Sequence, residues 1–124
     1  MSTTISGTNG VTFPDSTSMQ TGQQACKAWV NFNGEGTVAI RDGYNVSSIT
    51  DNGTGDYTVN FATAMPDANY ADVITISNIS SSIGSMRRSS PSVGLPTTTS
   101  RRFQCFNSVS YSDQEIVTVA IFSN

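Results

Sequence analysis

Apolar and polar residues alternate with period two over much of this chain. In "CKAWVNF", Cys26, Ala28, Val30 and Phe32 fall on one side, and Lys27, Trp29 and Asn31 on the other. "TVAIR" sets Val38 and Ile40 on one face, and "DYTVNF" groups Tyr57, Val59 and Phe61. "FQCFNSVSY" carries Phe103, Cys105 and Phe106. This alternation is the signature of half-buried strands. "IVTVAIF", Ile116 to Phe122, is apolar on both faces, which predicts a central or interface-facing strand. No segment carries a sustained helical period, because Gly, Pro, Ser, Thr and Asn recur too often.

Turn chemistry separates these runs. "NGEG", Asn33 to Gly36, joins two alternating segments and predicts a hairpin. "TDNGTGDY", Thr50 to Tyr57, predicts a second hairpin with Asn52-Gly53 at its tip, and "AMPDANY" a Pro-Asp turn. Short strands punctuated in this way predict an all-β fold, an antiparallel β-sandwich or a short barrel. Residues 1–24 are polar, with apolar residues only around Ile5 and Val11 to Phe13. That segment cannot bury a core alone, but it can when intertwined with copies of itself. It reads as a stalk-like piece, with the head over residues 25–124.

Composition changes this picture in two ways. Charged residues are 12% of the 124, about half the usual share, so hydroxyls and amides keep the surface wet. The net charge of −3 is unevenly spread. Residues 1–72 hold seven acids against Lys27 and Arg41, a net −5. Residues 73–112 hold Arg87, Arg88, Arg101 and Arg102 with no acid, a net +4, and Asp113 and Glu115 follow. An acidic chain with one local basic stretch is a poor general nucleic-acid binder. The start lacks the charged residue and apolar run of a secretory leader, and no stretch approaches a membrane-spanning length. Cys26 and Cys105 are too few for a disulfide scaffold. They read as buried free thiols or as one bridge between distant strands.

Candidate chemistry is sparse. Without histidine, the Ser-His-Asp and Cys-His arrangements are ruled out, as are the commonest metal sites. No phosphate-binding glycine loop is present. Asp51, Asn52 and Asp56 offer hard oxygens, but their spacing departs from the calcium-binding helix-loop-helix pattern, so the segment reads as a turn. Asp42, Asp51, Asp56, Asp67 and Asp72 lie in or beside turns and suggest no facing pair of carboxylates for glycoside hydrolysis. The expectation is a protein that is not an enzyme and uses no cofactor or metal. The binding candidates are Arg87, Arg88, Arg101, Arg102, Trp29, Tyr44 and Tyr70. Trp29 either stacks on a sugar or packs against a second layer or subunit. The arginines sit in a Ser/Thr/Gly/Pro-rich stretch over 79–102 that reads as a long loop. They either meet an external anion or pair with acids of the −5 segment.

"CKAWVNFNGEGTVAIRDGYNVSSITDNGTGDYTVNFATAMPDANY", Cys26 to Tyr70, resembles the C-terminal head domain of phage tail fibres. "VTVAIF" resembles that family's last strand, and "GTNGVTFPDSTSMQTG" the segment that often precedes such heads. The resemblance covers residues 5–70 and 116–122. Between Asp72 and Glu115 no family motif is seen, as a variable recognition loop would look. The resemblance implies an intertwined homotrimer at a fibre tip that recognises a bacterial surface glycan or lipopolysaccharide. It also implies contact with other virion tail proteins. Such a protein is assembled in the host cytoplasm and acts outside it as part of the virion, without inserting into a membrane. The alternative is a structural virion protein: a head fibre, decoration protein or assembly cap that binds no receptor.

Overall fold

The computed structural model describes residues 2–7, 10–16, 18–19, 26–77, 84–87, 94–107 and 110–123. Among the described residues the fold is all-β, with 61% in strands, antiparallel sheets and no helix. Strands β1 (Thr4–Ser6), β2 (Gly10–Thr12) and β3 (Ser18–Met19) form a small sheet in that order. Sheet I has the order β5-β4-β11-β8, from β4 (Cys26–Asn33), β5 (Ala39–Tyr44), β8 (Ala71–Ser77) and β11 (Ile116–Phe122). Sheet II has the order β6-β7-β10-β9, from β6 (Val46–Gly53), β7 (Asp56–Phe61), β9 (Gly84–Arg87) and β10 (Ser100–Asn107).

The period-two residues meet between these two sheets. Ala28, Val30 and Phe32 of β4 and Val117, Val119 and Ile121 of β11 join Tyr57, Val59 and Phe61 of β7 and Phe103 and Cys105 of β10 in one buried cluster. Phe32, Tyr57 and Phe103 form its aromatic centre, with ring centroids 5.3 to 6.4 Å apart. Neither sheet closes into a barrel. Strand β11 is central, as its doubly apolar pattern requires, while β5 is an exposed edge.

Three local expectations need correction. The "NGEG" hairpin forms, but Val38 and Ile40 do not share one environment. Val38 packs on the core, and Ile40 is exposed. A register shift between Asn31 and Phe32 breaks the alternation there. The second hairpin turns at Thr54-Gly55, because β6 runs on to Gly53, which pairs with Asp56. The Asn52 side chain lies instead along the sheet, its amide donating to Thr58 Oγ1 at 2.8 Å. Finally, the stretch read as one long loop contains β9 and the start of β10.

The chain crosses from sheet I to sheet II through a single residue, Asn45, at φ 55°. Asn tolerates this left-handed conformation because its short amide can bond locally. Here the amide ties three segments. Nδ2 donates to Lys27 O at 3.0 Å and Thr63 O at 3.1 Å, and Oδ1 accepts from Thr63 N at 2.6 Å. The corner fixes Tyr44, Lys27 and Thr63 beside one another.

Candidate binding surfaces

Alternation along "SRRFQCF" sends the two arginines of β10 to opposite faces. Arg101 points between the sheets with Phe103 and Cys105 and is 1% exposed. Its Nε donates to Asp72 Oδ2 at 2.9 Å and its Nη1 to Arg102 O at 2.7 Å. Its Nη2 has no partner among the described residues. Arg102 lies on the outer face of sheet II and clamps Asp56 with two bonds, Nε to Oδ1 and Nη2 to Oδ2, both 2.8 Å. Gln104 Nε2 adds a third donor to Asp56 Oδ2 at 2.9 Å. Both carboxylates belong to the acid-rich first part of the chain, so the internal ion-pair reading describes these two arginines. Arg101 in particular is not a free anion receptor: it is a buried charge held by Asp72.

Tyr70 is also corrected. It is buried, its hydroxyl donates to Ser100 O at 3.1 Å, and its ring meets Phe61 edge-on at 5.8 Å. Burial pushes its hydroxyl pKa up to about 12. Arg87 is a backbone partner of Gln104 in the ladder, with a side chain outside the description, and Arg88 lies outside the described residues.

The Arg102 clamp, opposed by some desolvation and helped by Gln104 and Asn52, holds the Asp56 carboxyl below its ordinary pKa of 3.8. A depressed carboxylate adds stability that is fully present above the unfolded pKa and is lost as pH falls through the folded one. Arg102 is 36% exposed, so solvent weakens the pair, and a contribution of about 1 kcal/mol is expected. Urea unfolding should therefore show Asp56→Asn less stable than the native chain at pH 7. The gap should close below pH 3.8. A gap that persists unchanged to pH 2 would mean the ion pair is not its source.

Other outer-face side chains of β6 and β7 bond to one another. Asn60 Nδ2 donates to Ser48 Oγ at 3.0 Å and Thr50 Oγ1 at 2.9 Å, beside the Asn52–Thr58 pair. These donors are turned to neighbours rather than outward.

The sheet I outer face differs. The ladder aligns Tyr44 with Trp29, Trp29 with Ala120, and Ala120 with Val73. The result is an apolar row across four strands. Tyr44 is 59% exposed, Trp29 38% and Val73 54%. A polar row, Asp42, Asn31, Thr118 and Thr75, runs beside it, with the two threonine hydroxyls bonded together. Next to Tyr44 an open recess of about 390 Å³ is lined by Lys27, Asn45, Thr63, Ala64, Met65 and Pro66. Trp29 and Tyr44 are thus brought together, on a different sheet from Arg101 and Arg102. Sequence reasoning missed Lys27 and Thr63. The available signal was that Lys27, the chain's one lysine, shares the Trp29 face of its strand.

No cluster of three or more His, Cys, Asp or Glu occurs among the described residues. Asp56, one of the oxygens considered for calcium, is taken by Arg102 and Gln104. Cys26 and Cys105 are both free thiols. Burial pushes the Cys105 thiol up to about 12, which leaves it protonated and unreactive. No helix among the described residues is long and apolar enough to cross a membrane. Comparison with family models, curated proteins and solved structures finds no match.

Proposed function

We propose that the chain is the distal domain of a phage tail fibre, a homotrimer in the virion that binds a bacterial surface glycan during adsorption and carries out no catalysis. The observation that carries this reading is the exposed cross-strand pair Trp29–Tyr44, with an open recess lined by Tyr44 on its far side. Flat aromatic faces outside a core suit the apolar face of a sugar ring. The resemblance of residues 5–70 and 116–122 to tail-fibre heads supports it, as does the β-sandwich between whose sheets those strands pack. The apolar far end of the row, Ala120 and Val73, with Phe122 further along β11, favours a second role for this face. In a trimer it would meet another copy of the chain, and a purely structural virion protein would use it in the same way.

The test is binding of the native chain and of the double variant Trp29→Ala/Tyr44→Ala to a bacterial glycan array, with native mass measured in parallel. Loss of two aromatic platforms should weaken glycan binding about tenfold to 100-fold, on the order of 1.4–2.8 kcal/mol. Native mass should be unchanged. A native chain that binds no glycan sinks the receptor reading. A variant that dissociates while retaining binding assigns the pair to the subunit contact instead.

A further inference from the structure

The described cations are not equivalent. Arg101 and Arg102 each hold a carboxylate. Arg41 donates to Asn31 Oδ1 at 3.3 Å, in the row that also contains Asp42. Lys27 makes no ion pair among the described residues, yet it lines the recess beside Tyr44. No acidic side chain lines that recess.

The other polar groups there are mostly committed. Both hydrogens of the Asn45 amide go to backbone carbonyls, and its oxygen is taken by Thr63 N. The remaining lining is Ala64, Met65, Pro66 and the ring of Tyr44, together with Thr63. The recess therefore offers an apolar wall, an exposed phenol ring, the Thr63 hydroxyl and one ammonium with no ion pair among the described residues. A neutral sugar would leave that ammonium without a partner. A sugar ring carrying a carboxylate or phosphate uses all four features: its apolar face lies on Tyr44, and its anion meets Lys27.

We infer that the Tyr44–Lys27 recess is a subsite for an anionic sugar residue, and that Lys27, not the arginine pairs, selects the charge. The inference rests on the glycan-binding reading above. An exposed charge contact is modest, so the expected preference for an acidic over a matched neutral sugar is about fivefold per chain. Three copies on one fibre tip would multiply it on a surface.

The experiment is NMR titration of the full chain with methyl galacturonide, galactose 6-phosphate and neutral methyl galactoside, alongside the glycan array. In the expected result the acidic probes shift the Lys27, Tyr44, Asn45 and Thr63 amides, and high salt weakens them. Lys27→Gln binds acidic and neutral probes alike, Lys27→Arg keeps the preference, and both melt like the native chain. A response to only one acidic probe tells carboxylate from phosphate and supports the subsite. Equal binding of acidic and neutral probes, or a preference that survives Lys27→Gln, overturns the inference and leaves the glycan reading standing. Array binding with no shift at the recess overturns it too. Absence of all glycan binding removes both.

Discussion

Asp72→Ala should cost the folded chain about 3–4 kcal/mol, while Arg101→Met should cost far less. The asymmetry follows from where the charge sits. Arg101 is 1% exposed and Asp72 14%, so the guanidinium has little access to water, and Asp72 is its one carboxylate partner among the described residues. Its Nη2 already lacks a partner among the described residues. Removing Asp72 would leave Nε unpaired too, an uncompensated charge between two sheets. Methionine fills similar space without the charge, and replacing a buried pair with apolar groups is often near neutral. Adding Arg101→Met to Asp72→Ala should therefore restore most of the lost stability. Urea unfolding of the native chain, both single variants and the double variant at one protein concentration gives the full cycle. If Asp72→Ala costs under 1 kcal/mol, Arg101 has another route to water and the buried-charge argument collapses.

This pair also shows how the acid-free stretch misleads a sequence reading. Segregated charge along a chain looks like charge directed outward. Here the partners of Arg101 and Arg102 lie 29 and 46 residues away, and antiparallel pairing with sheet stacking brings them in. Composition carries no trace of those contacts. Alternation does carry part of the answer. In "SRRFQCF" a period of two puts Arg101 with Phe103 and Cys105, a core face, and Arg102 with Gln104, a surface face. Reading the segment as low-complexity loop hid that pattern.

The strands themselves were legible, because each core residue announces its face two positions away. Strands β4 and β7 bury the residues that alternation selects, Val30 and Phe32, Tyr57 and Val59, and β11, apolar on both faces, lies inside its sheet. Which strands pair is a different matter. Sandwich and barrel share the same alternation, and only long-range pairing separates them. The cross-strand pairing of Trp29 with Tyr44 was equally hidden. Each residue is visibly outward, but their adjacency depends on a ladder that contains a bulge. In the first part of the chain, β1 to β3 form a small sheet of their own with Ile5 83% exposed. The stalk boundary drawn near Gly22 to Gln24 lies outside the described residues.

Gly55→Ala should be as damaging as the loss of Asp72, for a reason that is backbone rather than charge. Gly55 turns the β6–β7 hairpin at φ 67°, a conformation that costs a residue with a side chain about 1–2 kcal/mol. Gly36, at φ 62° in the other hairpin, carries the same conformational cost, and an added Cβ there meets nothing within 4 Å. At Gly55 the Cβ would lie 2.6 Å from Cys105 O and 2.8 Å from Ser112 N and O. All three are backbone atoms and cannot swing aside. Moving the hairpin would break the bond from Gly55 N to Asp113 Oδ1 at 2.7 Å and that from Cys105 N to Gly55 O at 2.6 Å. Asp113 Oδ1 also lies 2.8 Å from the buried Tyr57 hydroxyl, so the disturbance would reach the aromatic centre of the core. A loss of about 3–4 kcal/mol is expected for Gly55→Ala against about 1 kcal/mol for Gly36→Ala. Parallel thermal melts of the two variants make the comparison, since the conformational term is common to both and only the close approach differs. Equal melting temperatures would mean that the segment around Ser112 yields to the hairpin, and that Asp113 is not the rigid anchor its bonds describe.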